Sequence, residues 1–417
     1  MSLLDTASLI VTPNGYKGGS PNGKLYSVKP TNGDGDMVVT RNATSTRVNS
    51  AGLIESVAFN APRIDYPPLG GCPSILVEPV RTNRIFYSEQ FDNAYWSKYQ
   101  ATVSSNAQQA PDGTTTADLV YPSITGALSG QLYRIITTGI TAGNVVTVSV
   151  FVKASGKNFA YIGPLYNFSP AAWFNLTTGA ITNPIANVTT SMTAFANGWW
   201  RISVTSTATA TSYMTIGSTD AAGNVTNTAS GTNGILVWGA QVEVGTKVSS
   251  YIPTTTASVT RNADVISDTG ISTLIGPTEG TIYAEINNTL MTSYSTGYVM
   301  RIFADANNEV WIRKESGTNT YTARWRANSV DVYTQSTISV LNGNNKIAIA
   351  YKTGSSAVYL NGTQIGTSAS TGAFSVAPSQ IGIGSSSTID FFNDRIELAT
   401  VFKTRLTNAQ LATLTTL

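Results

Sequence analysis

Aromatic rings beside guanidinium groups are the side chains of this chain best suited to chemistry, and that chemistry is recognition. If Val310 and Ile312 point inward from one strand, Glu309, Trp311 and Arg313 stand on its opposite face. In the following strand, inward Tyr321, Ala323 and Trp325 put Arg324 and Arg326 outside. Antiparallel pairing would then set Trp311 among Arg313, Arg324 and Arg326, a patch suited to an acidic glycan or a lipopolysaccharide phosphate. An ordinary solvated face or a subunit contact fits the same pattern. Tyr166 and Trp173 form a second group beside the turn-forming pairs Gly163-Pro164 and Ser169-Pro170. There they are placed to stack on sugar rings, with core packing as the alternative. Trp96, Trp199 and Trp238 read as core.

The residue types that are missing exclude much else. Histidine is absent from all 417 residues, which removes Ser-His-Asp and Cys-His catalysis, histidine-ligated zinc and imidazole base chemistry. Asp and Glu total 23, and nothing in their spacing singles out a pair for glycoside cleavage. No Gly-rich loop stands between a strand and a helix, so nucleotide chemistry is not expected. Cys72 is the sole cysteine and cannot form an intrachain disulfide. It is expected to be a small buried residue in the Gly70-Gly71-Cys72-Pro73 turn, with an interchain disulfide at a symmetry axis as the alternative. A carboxylate pair for glycoside cleavage thus stays open on these residues, though none is singled out.

The elements that would carry these residues are strands. Charged residues make up only 12% of the chain, about half the usual share, so Thr, Ser, Asn and Gly must supply its polar surface. Thr favours strands, and Asn and Gly favour the turns between them. Residues 1–83 are rich in Gly, Asn and Pro and too poor in apolar runs to close a core alone; they are expected to be an extended anchoring or linker segment. Residues 84–262 carry short β-branched or aromatic segments, among them Val145–Val152, where Val148, Val150 and Val152 alternate with Thr147 and Ser149. Residues 263–417 form a second β unit. Its strongest local signal is the Asn361-Gly362 corner between Ala357–Leu360 and Thr363–Gly366, and a short helix or turn over Asn408–Leu414 closes it. Val39-Thr40-Arg41-Asn42-Ala43 recurs as Val259-Thr260-Arg261-Asn262-Ala263, one copy on each side of the central unit, which reads as a repeated linker strand. The fold class is all-β: an extended N-terminal segment, then two β-sandwich domains. A net charge of +2 with scattered basic residues gives no general pull toward nucleic acid. Met1–Asp5 lacks a signal-peptide pattern, and no apolar run reaches the ~18 residues of a membrane span.

Pro62–Asn83, PRIDYPPLGGCPSILVEPVRTN, followed by RIFYSEQFDNAYWSK, resembles a junction of tailed-phage virion proteins that leads into a jelly roll of the carbohydrate-binding-module type. Gly239–Val265 resembles the far border of that domain, and Met37–Glu55 resembles its lead-in. Most of Gly280–Leu417 is similar to the laminin-G and concanavalin A-like sandwich, through its YLNG hairpin, DRIELATVF strand and LTNAQLATL end. The first resemblance implies a structural calcium between first and last strands, with Glu89, Gln241 and Glu243 as oxygen ligands. Here Gln241 and Glu243 stand where the family pattern has paired aspartates.

Together these features lead to the expectation of a non-enzymatic bacteriophage virion protein, a head fibre, capsid decoration or tail fibre with a glycan-binding, adhesive role. Its partners would be other virion proteins of capsid or tail, host surface glycan, and further copies of itself, a trimer by family analogy. It would be assembled in the host cytoplasm and released by lysis. A capsule-degrading depolymerase subunit and a purely structural spacer are the rival readings.

Overall fold

The computed structural model describes residues 2–16, 23–136, 139–163, 170–182, 184–209, 212–288, 296–385 and 390–417. The fold is all-β, a pair of antiparallel β-sandwiches. In the central one, Ala101–Gln108, Ala117–Pro122, Gly234–Val244, Val145–Ser155, Trp200–Thr207 and Thr189–Ala194 lie in that order in one sheet. Ile181–Thr182, Ala172–Asn175, Phe159–Ile162, Ser212–Thr219, Gln131–Ile136 and Ser97–Tyr99 form the facing sheet. Strand alternation sends Val146, Val148, Val150 and Val152 inward against Ile162, Met214 and Ile216. Trp96 is buried in this core, while Trp199 and Trp238 are buried on the outer side of the first sheet.

The second sandwich is one long sheet bent round its main core. Its two halves meet where the Trp325 and Tyr351 rings lie 5.8 Å apart. The segment expected to lead the chain as an anchor is woven into the middle of this sheet. Leu9–Tyr16 pairs with Lys24–Lys29 on one side and Asp394–Phe402 on the other, and Met37–Thr40 pairs with Val265–Thr269. Leu9, Val11, Leu25, Met37 and Val39 are all inside the core. A second apolar layer, with Tyr283, Leu398 and Phe402, is covered by the helix Asn408–Thr415 through Leu411. That helix starts at a capping box in which Thr407 Oγ1 accepts from Gln410 N and Gln410 Oε1 accepts from Thr407 N. The Asn361-Gly362 corner sits between Ser356–Leu360 and Thr363–Ser368, both residues with positive φ as a type I′ turn requires.

Two further strand pairings and a packed hairpin lie where the sandwiches meet. Arg81–Asn83 pairs with Val259–Arg261, so the strands entering and leaving the central unit lie side by side. Ser74–Val77 pairs with Asp394–Phe402. The hairpin of Ser45–Val48 and Ile54–Val57 covers the outer face of the first central sheet, packing Val48 and Ile54 with Phe151, Trp199 and Trp238.

The repeated linker acquires a physical reason at this junction. Arg41 and Arg261, one from each copy, are both buried and run into one charge cluster. Arg41 pairs with Asp264 at 2.8 Å and Arg261 with Glu78 at 2.7 Å, while Arg63 bridges both carboxylates. Burying three guanidinium groups is tolerable because each donates to a carboxylate and to carbonyl or hydroxyl oxygens as well.

Cys72 is exposed, contrary to expectation. Gly70 and Gly71 both have positive φ and carry the turn out into solvent, with Leu69 exposed beside it.

Candidate functional site

A cleft of about 380 Å³ opens where the central sandwich, the Ser45–Val57 hairpin and the second sandwich meet. From the outer face of the first central sheet, Phe151, Ser191, Thr193 and Arg201 line it, and beside them alternation places buried polar side chains in rows across neighbouring strands. Register puts Ser191 opposite Ser203, Ser203 opposite Ser149, and Ser149 opposite Gln241. The neighbouring row aligns Thr193, Arg201 and Phe151. Hydroxyls bond across the strands, Ser191 Oγ to Ser203 Oγ at 2.5 Å and Thr147 Oγ1 to Thr205 Oγ1 at 2.8 Å. Phe151 and Phe195, edge to face at 5.0 Å, and Tyr251 provide an aromatic wall.

Arg201 lies over the Phe151 ring at 5.0 Å. It donates to Ser249 O at 2.7 Å and Ser149 Oγ at 3.2 Å. Burial lowers its pKa to about 10 against the attraction of Glu243 and Glu78, which leaves it a cation at neutral pH. Opposite it, Ser249 and Ser250 are held by two buried carboxylates. Glu243 accepts from Ser249 N at 2.8 Å and Ser249 Oγ at 2.6 Å; Glu78 accepts from Ser250 N and Ser250 Oγ, both at 2.8 Å. The cleft is thus a rigid, mixed polar and aromatic surface built on strands, the type of lining that orients a small polar ligand.

The residues proposed from the family pattern as calcium ligands are engaged elsewhere. Gln241 donates to Glu243 Oε1 at 2.9 Å and accepts from Ile252 N at 2.7 Å, which ties down the segment after the last strand. Glu89 accepts from the Tyr251 hydroxyl at 2.8 Å, and burial raises its pKa. Both Glu243 oxygens already accept hydrogen bonds. Among the described residues, no group of three or more His, Cys, Asp or Glu side chains could hold a metal ion.

The expected aromatic and arginine patch is brought together, but in a different form. Trp311 stands opposite Arg324, and Glu309 opposite Arg326. Arg313 and Arg324 each place a guanidinium carbon 4.6 Å from the centroid of the Trp311 ring, which is only 1% exposed. Alternation assigned the correct face, yet the arginines and Tyr298 cover the ring, so Trp311 offers no open surface for a sugar. Each of these arginines has a carboxylate partner in place: Arg301 and Arg324 share Glu309, Arg313 binds Glu315, and Arg326 faces Asp331 at 3.7 Å. Trp311 Nε1 donates to Glu309 at 3.0 Å. Trp311→Phe is accordingly expected to lower stability by about 1–3 kcal/mol, read as a shift in denaturant midpoint, with glycan retention unchanged. Trp173 is 9% exposed and donates through Nε1 to Asn224 O at 2.9 Å, a packed rather than a stacking position. Tyr166 lies outside the described residues.

No family model matches this chain, and no curated protein matches it. Among solved structures, it is similar to the CBM40 of Ruminococcus gnavus IT-sialidase bound to alpha2,3 sialyllactose, at 15% identity and TM-score 0.30 over 35% of this chain and 86% of that one. It is similar also to the receptor binding domain of botulinum neurotoxin mosaic serotype C/D, at 13% identity and TM-score 0.30 over 36% and 39%. A heptameric SAP-like pentraxin from Limulus polyphemus matches at 19% identity and TM-score 0.25 over 32% and 68%.

Proposed function

We propose that this chain is a non-enzymatic structural protein of a phage virion that holds host surface glycan in the cleft between its sandwiches. The observation that carries the reading is the cleft lining. The hydroxyl groups of Ser191, Thr193, Ser249 and Ser250 and the Arg201 guanidinium, held by strand register and hydrogen bonds and flanked by Phe151, Phe195 and Tyr251, match the alternating polar and apolar faces of a sugar. The sequence resemblance to phage virion proteins supplies the setting, as head fibre, capsid decoration or tail fibre. Repetition in an oligomer would raise a weak single-site affinity through effective concentration. The structural junction suits this role, because strand pairing and buried ion pairs keep the cleft walls in fixed relation.

Incubating the full chain with host surface polysaccharide tests the reading. Retention without new reducing ends is the expected result. New reducing ends would make it a depolymerase, and neither retention nor cleavage would make it a spacer. Labelling the protein on intact particles by electron microscopy then tests the virion setting, and absence from the particle would overturn it.

A further inference from the structure

We infer that the saccharide held in the cleft carries a carboxylate, received by Arg201; this rests on the glycan-binding reading above and adds the chemical class of its ligand. Among the described residues, each charged side chain lining the cleft has an ion-pair partner, with one exception. Arg47 pairs with Glu55 at 2.7 Å, Lys247 with Asp394 at 2.9 Å, and Arg395 with Asp65 at 2.7 Å. Glu78 is answered by Arg63 and Arg261 from behind the wall. Arg201 has no carboxylate within ion-pair distance among the described residues; its partners are a carbonyl, a hydroxyl and a ring.

An arginine held this way is prepared for an anion. A guanidinium has five N–H donors in a fixed fork, and the two bonds of Arg201 to Ser249 and Ser149 fix that fork without neutralising it. Glu243 and Glu78 attract this charge only from beyond ion-pair distance, which leaves attraction available to a ligand in a medium less screened than water. One guanidinium facing the cleft without an ion pair fits one anionic charge. A carboxylate supplies that, whereas a phosphate monoester carries about −1.5 to −2 and would need a second cation, and the other cations of the cleft are engaged. Ser191 and Thr193, on the strand next to Arg201, are placed for the ring hydroxyls.

The test is calorimetric titration of the full chain with uronic- and sialic-acid oligosaccharides, each beside its carboxyl-reduced form. At least one acidic form is expected to bind about tenfold tighter or more than its reduced counterpart, and raising salt should erode that advantage. Arg201→Gln should bring the acidic form's affinity down to that of the reduced form. Should Arg201→Gln fail to fold, Arg201→Lys keeps the charge while losing the fork, and a diminished preference is expected. Equal affinity for acidic and reduced forms in the wild type would overturn this inference and leave the glycan reading standing. A preference that survives intact in Arg201→Gln would place the carboxylate elsewhere and overturn it too. No binding by any oligosaccharide would overturn the glycan reading itself.

Discussion

A chain that begins at residue 84 is expected to lose its second sandwich while keeping the central one. Deletion would strip Leu9, Val11, Leu25, Met37 and Val39 from the core of the long sheet, where each is at most 2% exposed. At roughly 1.5–3 kcal/mol for each buried side chain, they contribute roughly 8–15 kcal/mol in total. That is the size of a whole domain's net stability, about 5–15 kcal/mol. Deletion would also turn Asp394–Phe402 and Val265–Thr269 into open edges, a template for aggregation. The central sandwich keeps its own core, since the strands of that core all lie between residues 84 and 262. Hydrogen exchange reads the result directly. Amides of Glu279–Asn288 and Asp394–Phe402 should lose protection in the shortened chain, while those of Val145–Ser155 retain it. Continued protection of the former would mean that the leading strands are dispensable, and that the cleft wall they support can be formed without them.

Local signals were the ones the sequence could express. The Asn361-Gly362 hairpin, the strand Thr320–Ala327 and the capped terminal helix depend on residues within a few positions of one another, and alternation or turn chemistry reveals them. Strand Lys24–Lys29 was hidden because it lies among Gly, Asn and Pro turns, and its sheet neighbour Leu9–Tyr16 finds its other partner more than 380 residues away. No local pattern encodes such a pairing. Trp311 shows the limit of periodicity from another side. Alternation fixes which face a ring occupies, but exposure depends on what the neighbouring strand lays over it, here Arg324. The cleft is hidden from local pattern because Arg201 belongs to a strand whose apolar Ile202 and Val204 dominate it. A signal was present in Arg201, Ser203 and Thr205, which alternate like Thr147 and Ser149 and so mark a polar outer face. The repeated Val-Thr-Arg-Asn-Ala was visible, but that both arginines converge on one buried acidic pair required the fold.

Glu78→Gln is expected to destabilise the folded chain by about 3–5 kcal/mol, the usual cost of breaking a buried ion pair from one side. Glu78 accepts from Arg63 at 2.5 Å, from Arg261 at 2.7 Å, and from Ser250 N and Oγ. Glutamine keeps the shape but removes the charge, leaving Asp264 to answer three buried guanidinium groups. Packing is nearly unchanged, so the loss should be electrostatic, and Arg261→Met on the same background should recover part of it. The pH dependence gives an independent reading. Burial alone would raise the Glu78 carboxyl, but Arg261 and Arg63 override it and hold the group far below its ordinary value of 4.5. A carboxyl depressed in the folded state contributes its full stability above its unfolded pKa, and loses it as pH falls toward the folded value. The wild type should therefore lose stability progressively below about pH 4.5, and the variant should show a shallower acid slope. Denaturant midpoints between neutral and acid pH measure both effects. A loss under about 1 kcal/mol, with an unchanged acid slope, would show that the cluster is screened by water rather than buried. Because Glu78 also fixes Ser250 beside the cleft, saccharide binding should weaken under conditions where the variant is still folded.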